Sequence, residues 1–170
     1  MSPAHLATID LGEVAAGLVE LGPERATGAE LARAAGVAKP TLYAHFGSRD
    51  GVVEACVQHE AERLLDHIHA DTDPGAALAA YAGESTGWAL VLLSRHEAAV
   101  ATRARIAARI ATGRQGATGL TAPLAARAFL AAAPAVLALE DPAAREGSLR
   151  ALARALLPGP GFGLRAPPHT

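Results

Sequence analysis

Apolar residues recur along this chain at spacings of three and four, the period of helices that bury one face, while alternating strand patterns are scarce. Leu11, Val14, Ala15 and Leu18 form the first such stripe and predict a helix from about Thr8 to Leu21. The next segment, Thr27 to Asp50, reads TGAELARAAGVAKPTLYAHFGSRD and predicts two short helices joined by a tight turn. Thr27 with Glu30 three residues later makes a capping box, in which the two side chains satisfy backbone donors left open at a helix start. Leu31, Ala32 and Ala35 share one face of that helix, which begins near Gly28. Gly36 stands where the chain must turn through a left-handed conformation, a turn that costs least without a Cβ. The following helix, about Ala38 to Phe46, buries Leu42 and Phe46 and leaves Lys39, Pro40, Tyr43 and Ala44 facing outward.

Further along, Ser48 caps a helix expected to reach about Ala70, with Val53, Val57, Leu64 and Ile68 on a continuous stripe able to join a head to a body. Asp73 and Pro74 pair a cap with proline at the first helical position and open a helix expected to run to about Ser94. Leu78, Tyr81, Ser85, Trp88 and Leu92 align on its inner side. Another helix is expected from His96 to Thr112, then a glycine-rich loop from Gly113 to Pro123. A helix from Ala122 to Leu139 should be disturbed near Pro134, where a backbone donor is missing. The last helix starts at Asp141 and Pro142 and is expected to expose Leu149, Leu152, Ala153 and Leu156 as one stripe; an irregular tail begins at Pro158. The expected class is all-α, divided into residues 1–47, 48–157 and 158–170.

Composition agrees with close-packed helices carrying small side chains: 51% of residues are apolar, 19% charged and only 4% aromatic. A single cysteine, Cys56, excludes an internal disulfide and reads as a small buried hydrophobe in a reducing compartment. No basic-then-apolar leader opens the chain, and the charge-free run Ala128 to Leu139 is too short to span a bilayer, so no membrane association and a cytoplasmic location are expected. No nucleophile elbow, phosphate-cradling glycine loop or paired carboxylates mark a catalytic centre, so no enzyme and no cofactor are expected. His59, Arg63 and His67 fall at steps of four without completing a ligand set, so no metal is expected either.

The run KPTLYAHFGSRDGVV closely resembles the recognition-helix signature of the TetR family of bacterial transcriptional regulators, and the resemblance extends over roughly residues 9 to 57. It implies a three-helix helix-turn-helix head joined by a connecting helix to a helical ligand-binding and dimerisation body. Thr41, Tyr43 and His45 then face phosphate oxygens, for which hydroxyls and imidazole are suited. Lys39 and Pro40 match base-facing positions, the lysine suited to guanine and the proline to a thymine methyl. Arg49, in the turn capped by Ser48, and Thr27 supply further phosphate contacts. Tyr43 and His45 are also compatible with ordinary packing or surface roles.

The resemblance further implies a homodimer on a (pseudo)palindromic operator of double-stranded DNA, with one head per half-site, a small-molecule effector, and repression as the outcome. His67, Tyr81, Ser85, Trp88, Leu92, His96 and Phe129 are the candidates to line an effector pocket, although an aromatic stripe at helical spacing equally describes a core. Charge departs from the family pattern. Residues 1–64 hold five basic residues against nine acidic ones, a net of −4, yet the stretch Leu31 to Arg49 contains Arg33, Lys39 and Arg49 and no acid. A small-molecule binding protein of the same fold, with weak or lost specific DNA binding, is therefore the alternative.

Overall fold

The computed structural model describes residues 9–69, 71–112, 114, 116 and 119–158; the expected tail after Pro158 and residues 113, 115, 117 and 118 of the expected loop lie outside this set. Among the described residues all regular structure is helical: α1 (Leu11–Leu21), α2 (Gly28–Ala34), α3 (Lys39–Phe46), α4 (Arg49–His67), α5 (Pro74–Glu84), α6 (Trp88–Leu93), α7 (Glu97–Ala111), α8 (Ala122–Leu137) and α9 (Pro142–Leu156). None of these helices is long and apolar enough to cross a membrane.

Helix starts are set by side-chain acceptors. The Asp10 carboxylate accepts from the backbone N–H groups of Gly12 at 2.9 Å and Glu13 at 3.3 Å, which begins α1 at Leu11 rather than near Thr8. Thr27 and Glu30 form the expected capping box, with the Thr27 N–H donating to the Glu30 carboxylate at 2.8 Å. These bonds to Thr27 hold the Glu30 carboxyl below its usual pKa. Gly36 takes the expected left-handed turn at φ 64°. Ser48 caps α4 by accepting from the Gly51 N–H at 3.0 Å.

Two hydrophobic clusters divide the packing. Val14, Ala15 and Leu18 of α1, Leu31 of α2 and Leu42 of α3 close on Val52, Val53, Cys56 and Val57 of α4. Cys56 is a buried hydrophobe, and burial pushes its thiol pKa up to about 12, with Glu60 adding to the shift. Farther along α4, Leu64 joins the second cluster, built from Leu78 and Tyr81 of α5, Ile106 and Ile110 of α7, Phe129 of α8 and Leu149 of α9. Helix α4 therefore carries buried residues into both clusters, and Leu90 of α6 and Ala99 of α7 reach back into the first.

Three expectations are corrected. The single helix from Asp73 to Ser94 is two helices, interrupted at Ser85, Thr86 and Gly87. Glu60 packs into this interruption: its carboxylate occupies the position that a side chain on Gly87 would fill and accepts from the Ser85 hydroxyl, which in turn accepts from the Gly87 N–H. On α9, Leu149 and Ala153 are fully buried within the chain, because Gly75 of α5 lets the α9 backbone approach at Leu149, while Leu152 and Leu156 are half-buried against the same core. The stripe expected to face outward thus completes the body, and the exposed residues of α9 are Pro142, Ala143, Ala144, Glu146, Gly147, Ala151, Arg154 and Ala155. Helix α8 passes through Pro134 and ends at Leu137, two residues short of the expected Leu139.

Candidate nucleic-acid interface

Helix α3 is anchored by the fully buried Leu42, with Phe46 and Tyr43 half-buried beside it. With that face fixed, Lys39, Pro40, Thr41, Ala44 and His45 are exposed together. Proline at the second position of α3 costs no hydrogen bond, because the first-turn N–H groups have no acceptor within the helix. The His45 Nδ1 lies 3.2 Å from the Thr41 carbonyl, so Nδ1–H donates there and Nε2 faces outward.

Tyr43 is held by a contact that sequence spacing does not reveal. A Cβ on Gly28 would lie 1.9 Å from the Tyr43 hydroxyl and 3.1 Å from Lys39 Cε, so only glycine lets this pair rest over the first turn of α2. Lys39 Nζ lies 5.5 Å from the centre of the Tyr43 ring, within cation–π range. Thr27, exposed next to Gly28, commits its hydroxyl to the Glu30 carboxylate at 2.7 Å. The ridge formed by α3 and the start of α2 thus combines one ammonium group, hydroxyls and an imidazole. Its one acidic side chain among the described residues is Glu30, whose Oε2 accepts both the Thr27 N–H and the Thr27 hydroxyl.

Arg49 is arranged differently from what the motif implies. Its Nε–H donates to the Ala26 carbonyl at 2.7 Å, its Nη2 donates to the Pro23 carbonyl, and its Nη1 meets Asp50 at 3.1 Å. The guanidinium thereby ties the start of α4 to the loop between α1 and α2. This is a positioning role within the head, which engages three of the five guanidinium N–H donors.

The seven residues expected to line one pocket are brought together in part: Tyr81, Leu92 and Phe129 share the second buried cluster with Trp88 packed against it, Ser85 and His67 lie beside Tyr81, and His96 stands apart. Tyr81 and Phe129 are fully buried core, and Trp88 is half-buried against that core. Leu92 lines a cleft between α6, α7 and α8, whereas His96 caps α7 and borders a separate cleft with Glu54 and Gln58. Ser85 and His67 belong to a polar cluster centred on Glu60. The break between α5 and α6 separates residues that a continuous helix would have aligned.

Sequence reasoning missed Glu60, which is fully buried. The Tyr81 and Ser85 hydroxyls each donate to its Oε2 at 2.8 Å, and Arg63 Nη1 donates to its Oε1 at 3.3 Å. Burial first, and then the adjacent Glu60 carboxylate, raise the Tyr81 pKa, so the phenol stays protonated as a donor. His67 Nδ1–H donates to the Arg63 carbonyl at 2.8 Å, and Nε2 lies 3.2 Å from Glu84. The carbonyl bond chiefly, and Glu84 secondarily, raise the His67 pKa. A signal was present in the sequence: Glu60 interrupts the apolar stripe Val53, Val57, Leu64 at the position that faces inward.

Residues 15–56 match the family described as "Bacterial regulatory proteins, tetR family". A 44-residue segment is 43% identical to the HTH-type transcriptional regulator AlkX of Mycobacterium tuberculosis (strain ATCC 25618 / H37Rv), covering 26% of this chain and 21% of that relative. The whole-chain fold is similar to that of the crystal structure of a TetR family transcriptional regulator, PfmR, from Thermus thermophilus. There the TM-score is 0.62 at 21% identity, over 96% of this chain and 100% of that one. The head motif and the local alignment thus agree that residues 15–56 are similar to the DNA-binding head of the TetR family, and the whole chain shares the helical fold of a TetR family regulator.

Proposed function

We propose that the chain is a homodimeric, effector-responsive transcriptional regulator, a repressor whose two heads place α3 in successive major grooves of a (pseudo)palindromic operator. Such grooves repeat about every 34–36 Å. The observation that carries this reading is the ridge on α3: Lys39, Pro40, Thr41 and His45 exposed side by side, with the Tyr43 hydroxyl set against Gly28. Thr41, Tyr43 and His45 take phosphates and fix register, while Lys39 and Pro40 meet base edges. Thr27 acts by capping α2, and Arg49 by holding the head together. The dimer forms through the outer faces of α8 and α9, where small side chains, the exposed Leu124 of α8 and the exposed Leu139 of the connection between them allow close approach. Effector binding in the body changes head separation, and DNA affinity falls by the difference in effector affinity between the two states, typically ~1–3 kcal/mol.

The test is a gel-shift and anisotropy titration against fragments from the chain's own genomic neighbourhood. Tight, sequence-selective binding that Tyr43→Phe weakens on all sequences and Lys39→Ala makes less selective supports the proposal. Weak, sequence-blind binding indifferent to both substitutions overturns it. The net charge of −4 over residues 1–64 favours, as second reading, a small-molecule binding protein of this fold without an operator. That outcome is the one in which ligand binding persists and selective DNA binding does not.

A further inference from the structure

Between α6, α7 and α8 the body opens a cleft of about 350 Å³, remote in sequence from the helix-turn-helix. Its apolar surface comes from Leu92 of α6, Val100 of α7, Leu130 of α8 and two alanines, and Val100 is 53% exposed. Two guanidinium groups, Arg103 and Arg127, share the wall, and among the described residues no acidic one lines it. In a chain with a formal charge of −2, this is a local excess of positive charge over an apolar floor. Arg127 is exposed and has no hydrogen-bond or ion-pair partner among the described residues. Arg103 is half-buried, and among the described residues only its Nη1 is used, donating at 2.9 Å to the carbonyls of Val91 and Ser94 at the end of α6. Burial lowers the Arg103 pKa, an unfavourable desolvation that an anion in the cleft would relieve.

We infer that this cleft is the effector site and that its effector is a small carboxylate with an apolar body, held between Arg127 and Arg103 against Leu92, Val100 and Leu130. The inference rests on the effector-responsive regulation proposed above and names its ligand class. A volume of about 350 Å³ lies at the lower end of the usual range for ligand sites, roughly 300–1,000 Å³, which limits the ligand to a small molecule. Paired guanidinium groups suit a carboxylate because their planar donors match its two oxygens. A neutral or cationic ligand of the same length would leave these cations without a counter-charge.

Arg103 also connects the cleft to the head. Helix α6 abuts α1 and the loop after it, where Leu90 and Leu93 face Val19, Pro23 and Glu24. The Arg95 N–H donates to Glu24 at 3.4 Å across this junction. A carboxylate that draws Arg103 into the cleft competes with the Val91 and Ser94 carbonyls, and so acts on the segment against which the head rests.

Trp88, the one tryptophan of the chain, lies one turn before Leu92 on α6 and reports occupancy by its fluorescence. The full chain is titrated with octanoate, 1-octanol and octylamine at constant ionic strength, alongside Arg127→Glu and Arg103→Lys variants whose folding is verified by circular dichroism. The expected result is saturable octanoate binding, at least tenfold weaker binding of the alcohol and the amine, and at least a tenfold loss of octanoate affinity in Arg127→Glu. Absence of saturable octanoate binding, equal affinity for the three probes, or undiminished octanoate binding by folded Arg127→Glu overturns the inference. A separate operator titration without octanoate distinguishes the two levels. Selective DNA binding with failed octanoate preferences removes only the proposed site, and octanoate binding with these preferences but no selective DNA binding removes the regulator reading.

Discussion

Replacing Gly28 with alanine should separate DNA binding from stability. The new Cβ would lie 1.9 Å from the Tyr43 hydroxyl, and ordinary contact begins near 3.4 Å, so the hydroxyl must retreat by about 1.5 Å. The atoms displaced are the ends of the Tyr43 and Lys39 side chains, which can swing into solvent without moving backbone. Alanine at a helical position also loses less chain entropy on folding than glycine, a gain of about 0.4–1 kcal/mol. Net stability should therefore stay within about 1 kcal/mol of the parent chain in urea denaturation. Operator binding should not be spared, because a hydrogen bond to phosphate does not survive a shift of this size. A bond to a charged group contributes about 1.5–3 kcal/mol, so losing one in each head of a dimer costs about 3–6 kcal/mol, or about 10²–10⁴ in Kd. Fluorescence anisotropy on the same fragment measures it directly. Operator affinity unchanged in a folded Gly28→Ala protein would refute the placement of Tyr43 against phosphate.

Other substitutions test the remaining contacts. Glu60→Ala leaves the buried Tyr81 hydroxyl, Ser85 and Arg63 without their acceptor and should lower unfolding free energy by about 3–5 kcal/mol, whereas Glu60→Gln keeps an acceptor oxygen and should cost less than half of that; equal losses in urea would contradict the bonding described. Arg49→Ala should destabilise the head by about 1–3 kcal/mol, with DNA affinity falling in step and the salt dependence of binding retained; a salt slope reduced by about one at unchanged stability would instead make Arg49 a phosphate contact. His67 has a folded pKa raised above the ordinary imidazole value of 6.5, so its stabilising contribution is fully present below about pH 6.5 and is lost as pH rises through the folded value. The melting-temperature deficit of His67→Gln should accordingly be larger at pH 5.5 than at pH 8.5, and an equal deficit at both would show that protonation has no part in it.

The head was legible because its determinants are local. Thr27 and Glu30 are three residues apart, Gly36 marks its own turn, and Leu42 sets which side of α3 is buried. The ridge of Lys39, Pro40, Thr41 and His45 follows from that one anchored face. What escaped sequence reasoning depends on partners distant in the chain. The interruption after Glu84 packs against a carboxylate on α4, and Arg49 turns inward to the carbonyls of Pro23 and Ala26. On α9 the stripe of Leu149 and Ala153 was recognised, but periodicity says only that a face is buried and not whether the covering surface belongs to the same chain. The candidate pocket stripe is likewise split by the break after Glu84, although Trp88 and Leu92 beyond it still pack in the cluster that holds Tyr81.

The central claim is that two copies of the α3 ridge engage DNA together at a fixed separation. Inserting 5 base pairs between the half-sites of the bound operator turns one half-site by about half of the 10–10.5 base-pair helical repeat, facing it away from its head. Anisotropy titrations of the original and expanded operators at one salt concentration should show affinity falling to the level of unrelated DNA. Equal affinity for the two operators would contradict the account.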